Sequence, residues 1–71
     1  MPRKVRELEA DLSKEGFIRQ AGKGSHRRWT HPLSPGHVII SGNASSDAKP
    51  YQEREVRQAI EQVREAKKRR S

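Results

Sequence analysis

Apolar positions recur at spacings of three and four near the start of the chain, at Val5, Leu8 and Leu12. That spacing draws one stripe along a helix. Pro2 suits a first helical turn and Gly16 the position just past a helix end, so the pattern predicts a helix over residues 3–14. The pattern then changes to short extended runs. Phe17 and Ile18 open a strand that Gln20 and Ala21 continue. The run "GKGS" at 22–25 is a turn with two glycines free to take positive φ. "HRRWTHP" reads as a second strand ended by Pro32, "LSPG" as a second turn, and "HVIIS" as a third strand with three β-branched residues in a row. Connections this short join antiparallel neighbours. After the polar stretch "GNASSDAKP", Pro50 opens a long helix over Tyr51 to Arg70, with Val56, Ile60 and Val63 on one face and Ala59 and Ala66 beside them.

The resulting order, α-β-β-β-α, predicts a single α+β domain over residues 1–71. Its three-stranded antiparallel sheet is expected to be covered on one face by the two helices and open on the other. The expected core is Val5, Leu8, Leu12, Phe17, Ile18, Trp29, Leu33, Val38, Ile39, Ile40, Tyr51, Val56, Ile60 and Val63. Chains of about this length bury only about 60% of their unfolded surface, so modest stability and a gain from a partner are expected.

Charge sharpens the picture. Sixteen basic residues against nine acidic ones give a net charge of +7 and a pI near 10.6. Such a balance points to an anionic partner, nucleic acid before an acidic protein or a membrane surface. The absence of cysteine excludes disulfides and thiolate metal sites. No apolar run approaches a membrane span and no signal-peptide pattern is present, so the expected location is the cytoplasm.

The candidate chemistry gathers in "AGKGSHRRWTHP", residues 21–32. His26 and His31 lie five residues apart on one strand, an odd spacing that turns them to opposite faces. With few carboxylates nearby, no metal site is expected. Ser25 and His26 are strand neighbours that point apart, which argues against a serine nucleophile. "GKGS" is too short for a nucleotide-binding P-loop, and no cofactor is expected. Its N–H groups can still form an anion nest, with Lys23, Arg27 and Arg28 adding charge around it. RNA carries its own nucleophile in the 2′-OH, so a histidine in a basic turn supplies much of what cleavage needs. The alternative is a passive His26 in a non-catalytic RNA-binding module, and a third reading is a subunit whose basic face meets an acidic partner. If Trp29 faces the helices, period-two alternation leaves His26 and Arg28 on the open face.

The stretch "EGFIRQAGKGSHRRWTHP" resembles the signature of HicA toxins of HicA–HicB toxin–antitoxin systems. The likeness comprises Gly16-Phe17, the run Lys23-Gly24-Ser25-His26, the aromatic Trp29, and His31-Pro32 at the strand end. "HVIISG" and the terminal helix also fit. Gly22 stands where a longer polar residue is common, and "SDAKPYQERE" replaces a glycine–threonine turn before the last helix. The resemblance implies a fold like a double-stranded-RNA-binding domain. It also implies metal-independent endoribonuclease activity that cuts mRNA and inhibits translation, and a HicB-type antitoxin partner. It further implies His26 as the catalytic residue, Gly24 and Ser25 as shaping the turn, and Lys23 as a phosphate contact.

Overall fold

In the computed structural model the described residues are 3–21 and 26–70. The element order is α1 (Val5–Lys14), β1 (Ile18–Ala21), β2 (Arg27–Thr30), β3 (His37–Ile40) and α2 (Pro50–Arg70). The strands form one antiparallel sheet in the order β1-β2-β3. The α+β architecture is therefore the one expected.

The first helix starts at Val5, two residues later than its pattern predicts, because Arg3 and Lys4 are held extended. Ala48 N–H donates to the Arg3 carbonyl at 2.6 Å, and Lys4 bridges to Asp47. The loop between β3 and α2 then supplies what a helix start lacks. Val5 N–H donates to the Ser46 carbonyl at 2.9 Å and Arg6 N–H to the Ala44 carbonyl at 3.0 Å. Lys4 N–H donates to the Glu7 carboxylate at 2.7 Å. These bonds occupy donors that would otherwise be orphaned in the first turn. Two ion pairs brace the junction, Lys4–Asp47 at 2.7 Å and Arg3–Asp11 at 2.6 Å. The hydrogen bond to Asp11 pushes the Arg3 guanidinium still further above its ordinary value. Pro2, expected in the first turn, lies outside the described residues.

The other end of α1 closes on Gly16. Gly16 N–H donates to the Ser13 carbonyl and Phe17 N–H to the Leu12 carbonyl, at 3.1 and 3.0 Å. This paired closure requires a left-handed residue, and Gly16 has φ of +102°. Leu12 and Phe17, which flank the closure, are both buried. The connection into β3 starts earlier than predicted, because β2 ends at Thr30 and the turn opens at His31 rather than at Leu33. Ser34 N–H donates back to the His31 carbonyl at 3.0 Å, with Pro32 in the second turn position, where its fixed φ is an advantage.

Strand parity decides the core. Trp29 pairs with Val38 and Arg27 with Ile40 on the face toward the helices. Trp29, Val38 and Ile40 join Val5, Leu8, Leu12, Phe17, Ala48, Val56, Ala59 and Val63 in one buried cluster, with Ile60 packed against it. Three expected core residues are corrected. Ile18, paired with Thr30, is 60% exposed, and Ile39, paired with Arg28, is 46% exposed. Both occupy the alternate positions of strands that can bury only one side chain in two. Tyr51 is 48% exposed, because the next residue, Gln52, takes the inward position in the first turn of α2. Leu33, also expected in the core, is half-buried in its turn. Gln52 is a buried polar residue with both ends of its amide engaged. Its Oε1 accepts from Lys49 N–H at 2.9 Å, and its Nε2 donates to the Ser41 carbonyl at 3.3 Å.

Gly16→Ala is expected to cost about 1–2 kcal/mol for placing a Cβ in the left-handed region. A further penalty follows because that Cβ would lie 3.1 Å from His31 Nε2. Gly36→Ala, with nothing within 4 Å of the added Cβ, is the control and should shift stability by less than about 0.5 kcal/mol. Urea unfolding of both variants checks the contrast, and equal midpoints would refute it.

Candidate nucleic-acid interface

The β1–β2 hairpin and the uncovered face of the sheet carry the residues singled out from the sequence. Lys23, Gly24 and Ser25 lie outside the described residues. His26 is exposed and immediately precedes β2. Extended one residue past Arg27, the strand alternation puts His26 on the side of Arg28, away from the helices. Arg28 is exposed and sits between Gln20 and Ile39 in the register. The same face holds Ile18, Thr30 and His37, with Gln20 Nε2 donating to Thr30 Oγ1 at 3.4 Å. His26 and Arg28 are thus brought to one exposed surface at the hairpin end of the sheet.

Arg27 is placed differently. Its Nε donates to Glu9 Oε2 at 2.6 Å, and its guanidinium also donates to the Gly42 carbonyl at 3.0 Å. The Arg27 and Glu9 side chains are only 18% and 14% exposed. Trp29 Nε1 donates to the same Glu9 oxygen at 3.1 Å. Two successive inward-facing residues of β2 therefore converge on one carboxylate of α1. The indole is core, with its polar edge paired as a buried tryptophan requires. Glu9 was missed from the sequence, although a signal existed. It lies four residues after Val5 and one after Leu8, on the flank of the apolar stripe, where a carboxylate can reach the sheet.

The three histidines have separate surroundings. His31 is half-buried at the end of β2. Its Nδ1 accepts from Leu33 N–H at 3.0 Å, so the ring proton of the neutral form sits on Nε2. The ring stands edge-on to Phe17 at 5.0 Å between centroids. Those contacts make it a corner piece of the fold. His37 is exposed and pairs with Thr30, four residues along β2 from His26. At about 3.3 Å per residue that is roughly 13 Å, too far for the two rings to serve one phosphodiester. Among the described residues no three histidine or carboxylate side chains are grouped so as to hold a metal ion. None of the described helices is long and apolar enough to cross a membrane.

A family model described as HicA toxin of bacterial toxin-antitoxin matches residues 5–64. No curated protein and no solved structure matches the chain.

The two adjacent arginines should separate cleanly on substitution. Arg27→Ala leaves a largely buried carboxylate with one donor fewer and is expected to cost roughly 2–4 kcal/mol. Arg28→Ala should stay within about 0.5 kcal/mol of the parent, as exposed substitutions do. Chemical denaturation of both proteins decides it, and an equally mild Arg27→Ala would refute the role given to Glu9.

Proposed function

The chain belongs to the HicA toxin family of bacterial toxin–antitoxin systems, and from that premise we propose that it is a metal-independent endoribonuclease that cuts mRNA and inhibits translation. In this reading His26 is the proton-transfer residue at the scissile phosphodiester. The 2′-OH attacks the adjacent phosphorus, the 5′-oxygen leaves, and a 2′,3′-cyclic phosphate remains. One proton comes off the nucleophile and one goes onto the leaving oxygen, and a solvent-exposed imidazole can serve either transfer. Because the nucleophile belongs to the substrate, neither a metal-bound hydroxide nor a protein nucleophile is required.

Arg28 and Lys23 neutralise the phosphate and the charge that develops on it. Gly24 and Ser25 are assigned the shaping of the turn, a role that the family motif implies. Arg27 contributes by holding β2 against Glu9, which fixes the strand that presents His26, and its charge adds to the local field. A toxin of such a system has an antitoxin partner. We assign that role to a HicB-type protein that restrains the enzyme, and place both with their mRNA substrate in the cytoplasm. The observation that carries the reading is His26, exposed beside Arg28 on the uncovered side of β2, in a chain whose family match spans this segment.

His26→Ala should leave the unfolding transition in place and lower RNA cleavage by at least about 100-fold, the usual worth of a proton-transfer group. Chelator should leave the parent rate unchanged. Retained cleavage by folded, nuclease-free His26→Ala protein would overturn the catalytic assignment. Salt-sensitive RNA binding without cleavage by the parent would favour the non-catalytic binding module instead.

A further inference from the structure

Helix α2 runs on past the core it serves. Its last fully buried residue is Val63 and its last half-buried one Ala66, yet the helix continues to Arg70. The family match stops at residue 64. Beyond Ala66 the helix buries no described side chain and lies outside the matched family segment, and this end, "KKRR", carries most of a strong local charge.

Arg64, Lys67, Lys68 and Arg69 are all exposed. Glu65 lies within this group, and Glu15 at the end of α1 faces it. Glu15, whose side chain is only 15% exposed, lies 3.4 Å from the exposed Arg64 and 3.5 Å from the exposed Lys67, longer contacts than the ion pairs that brace the fold. The four cations Arg64, Lys67, Lys68 and Arg69 outnumber the three carboxylates around them, Glu15, Glu61 and Glu65, so the patch stays positive overall. The negative end of the helix dipole favours cations here, but that effect is confined to the last turn and does not account for Arg64.

The place of this patch matters. Glu15 adjoins Gly16, which packs against His31. Leu33 and Pro35 border the groove beside Ala66, Lys68 and Arg69. The basic helix end therefore stands at the β2–β3 turn, whereas His26 stands at the β1–β2 turn. Five residues of extended strand separate His26 from His31, about 16 Å at about 3.3 Å per residue. No single phosphodiester reaches both poles.

We propose that the basic end of α2, through Arg64, Lys67, Lys68 and Arg69, is a second anchoring site for the phosphate backbone of RNA, at the opposite pole of the sheet from His26. Successive residues step by 100° around a helix, so these cations fan outward in different directions. That arrangement suits a flexible ligand with a charge on every unit better than a single carboxylate cluster. The site makes the enzyme prefer long RNA over short. It rests on the reading of RNA as substrate, and it adds where the strand is held beyond the cleaved bond.

The test compares Lys67→Gln/Lys68→Gln/Arg69→Gln with the parent, both carrying His26→Ala so that RNA survives the binding measurement. The triple variant should bind a long single-stranded RNA at least about tenfold more weakly. The slope of log affinity against log salt should fall by about 2, three contacts at about 0.7 each. With His26 intact, the same triple variant should cleave a dinucleotide, which has one phosphodiester, at the parental rate. Circular dichroism should show α2 retained. Unchanged affinity and slope would overturn the anchor, as would an equal loss on the dinucleotide. Loss of binding to an acidic peptide with RNA binding intact would assign the patch to a protein partner and overturn it too. If the parent cuts RNA but the slopes agree, only the anchor falls; if the parent neither binds nor cuts RNA, both readings fall.

Discussion

One carboxylate oxygen on α1 settles which way β2 faces. Glu9 Oε2 accepts from both Arg27 and Trp29, two residues apart on the strand and therefore on the same side of it. These two bonds act together with the burial of Trp29 and the pairing of β2 on both edges, since a slip of one would turn every side chain over. With Arg27 and Trp29 held inward, Arg28 must face out, and His26 follows it at the hairpin. The exposure of the candidate catalytic residue is thus tied to a largely buried ion pair and a buried indole on the far side of the sheet. Geometry and chemistry agree here because charge pairing is directional where hydrophobic burial is not.

The segment between β3 and α2 has a comparable role that its composition conceals. It is polar and irregular, yet its Ala44 and Ser46 carbonyls close the start of α1, and Arg3 and Lys4 pair with it as an extra extended rung. The positive end of α1 is consequently filled by the protein's own carbonyls. That helix start therefore offers an anion no free N–H groups at Val5 or Arg6, and the anionic partner expected from the net charge would be met elsewhere on the surface. Gln52 completes the junction by tying the start of α2 to the exit of β3. The two helix starts and the end of β3 are in this way fastened together by a few hydrogen bonds in a chain with a small core.

Much of this is legible in the sequence. The element order, the antiparallel meander and the inward Trp29 follow from periodicity and parity. The core was harder at three places. Phe17-Ile18 and Val38-Ile39-Ile40 read as continuous apolar runs, but a sheet covered on one face admits alternate residues only. Tyr51 looked like a core aromatic, but the helix phase assigned the inward place to its polar neighbour. The role of Arg27 was not legible, because adjacent arginines are alike in sequence and differ only in the partner that strand parity gives them. For Lys23, Gly24 and Ser25 the reading remains one of motif and charge.

The division of cations extends this point to the whole surface. A net charge of +7 says that an anion is attracted, not where. Location is decided by the acidic residues, and several of these lie on α1. Glu9 engages Arg27, Asp11 engages Arg3, and Glu15 engages Arg64 and Lys67. The first two pairs are short and brace the fold; those at Glu15 are longer, and their cations are exposed. Part of the positive charge is therefore neutralised beside α1, while Arg28 on the open face and the cations at the end of α2 stay exposed. A polyanion long enough to reach both has more to gain than one held at either, since the second contact is made within a complex already formed. The acidic residues on and beside α1 thus help to decide where positive charge stays available on the surface.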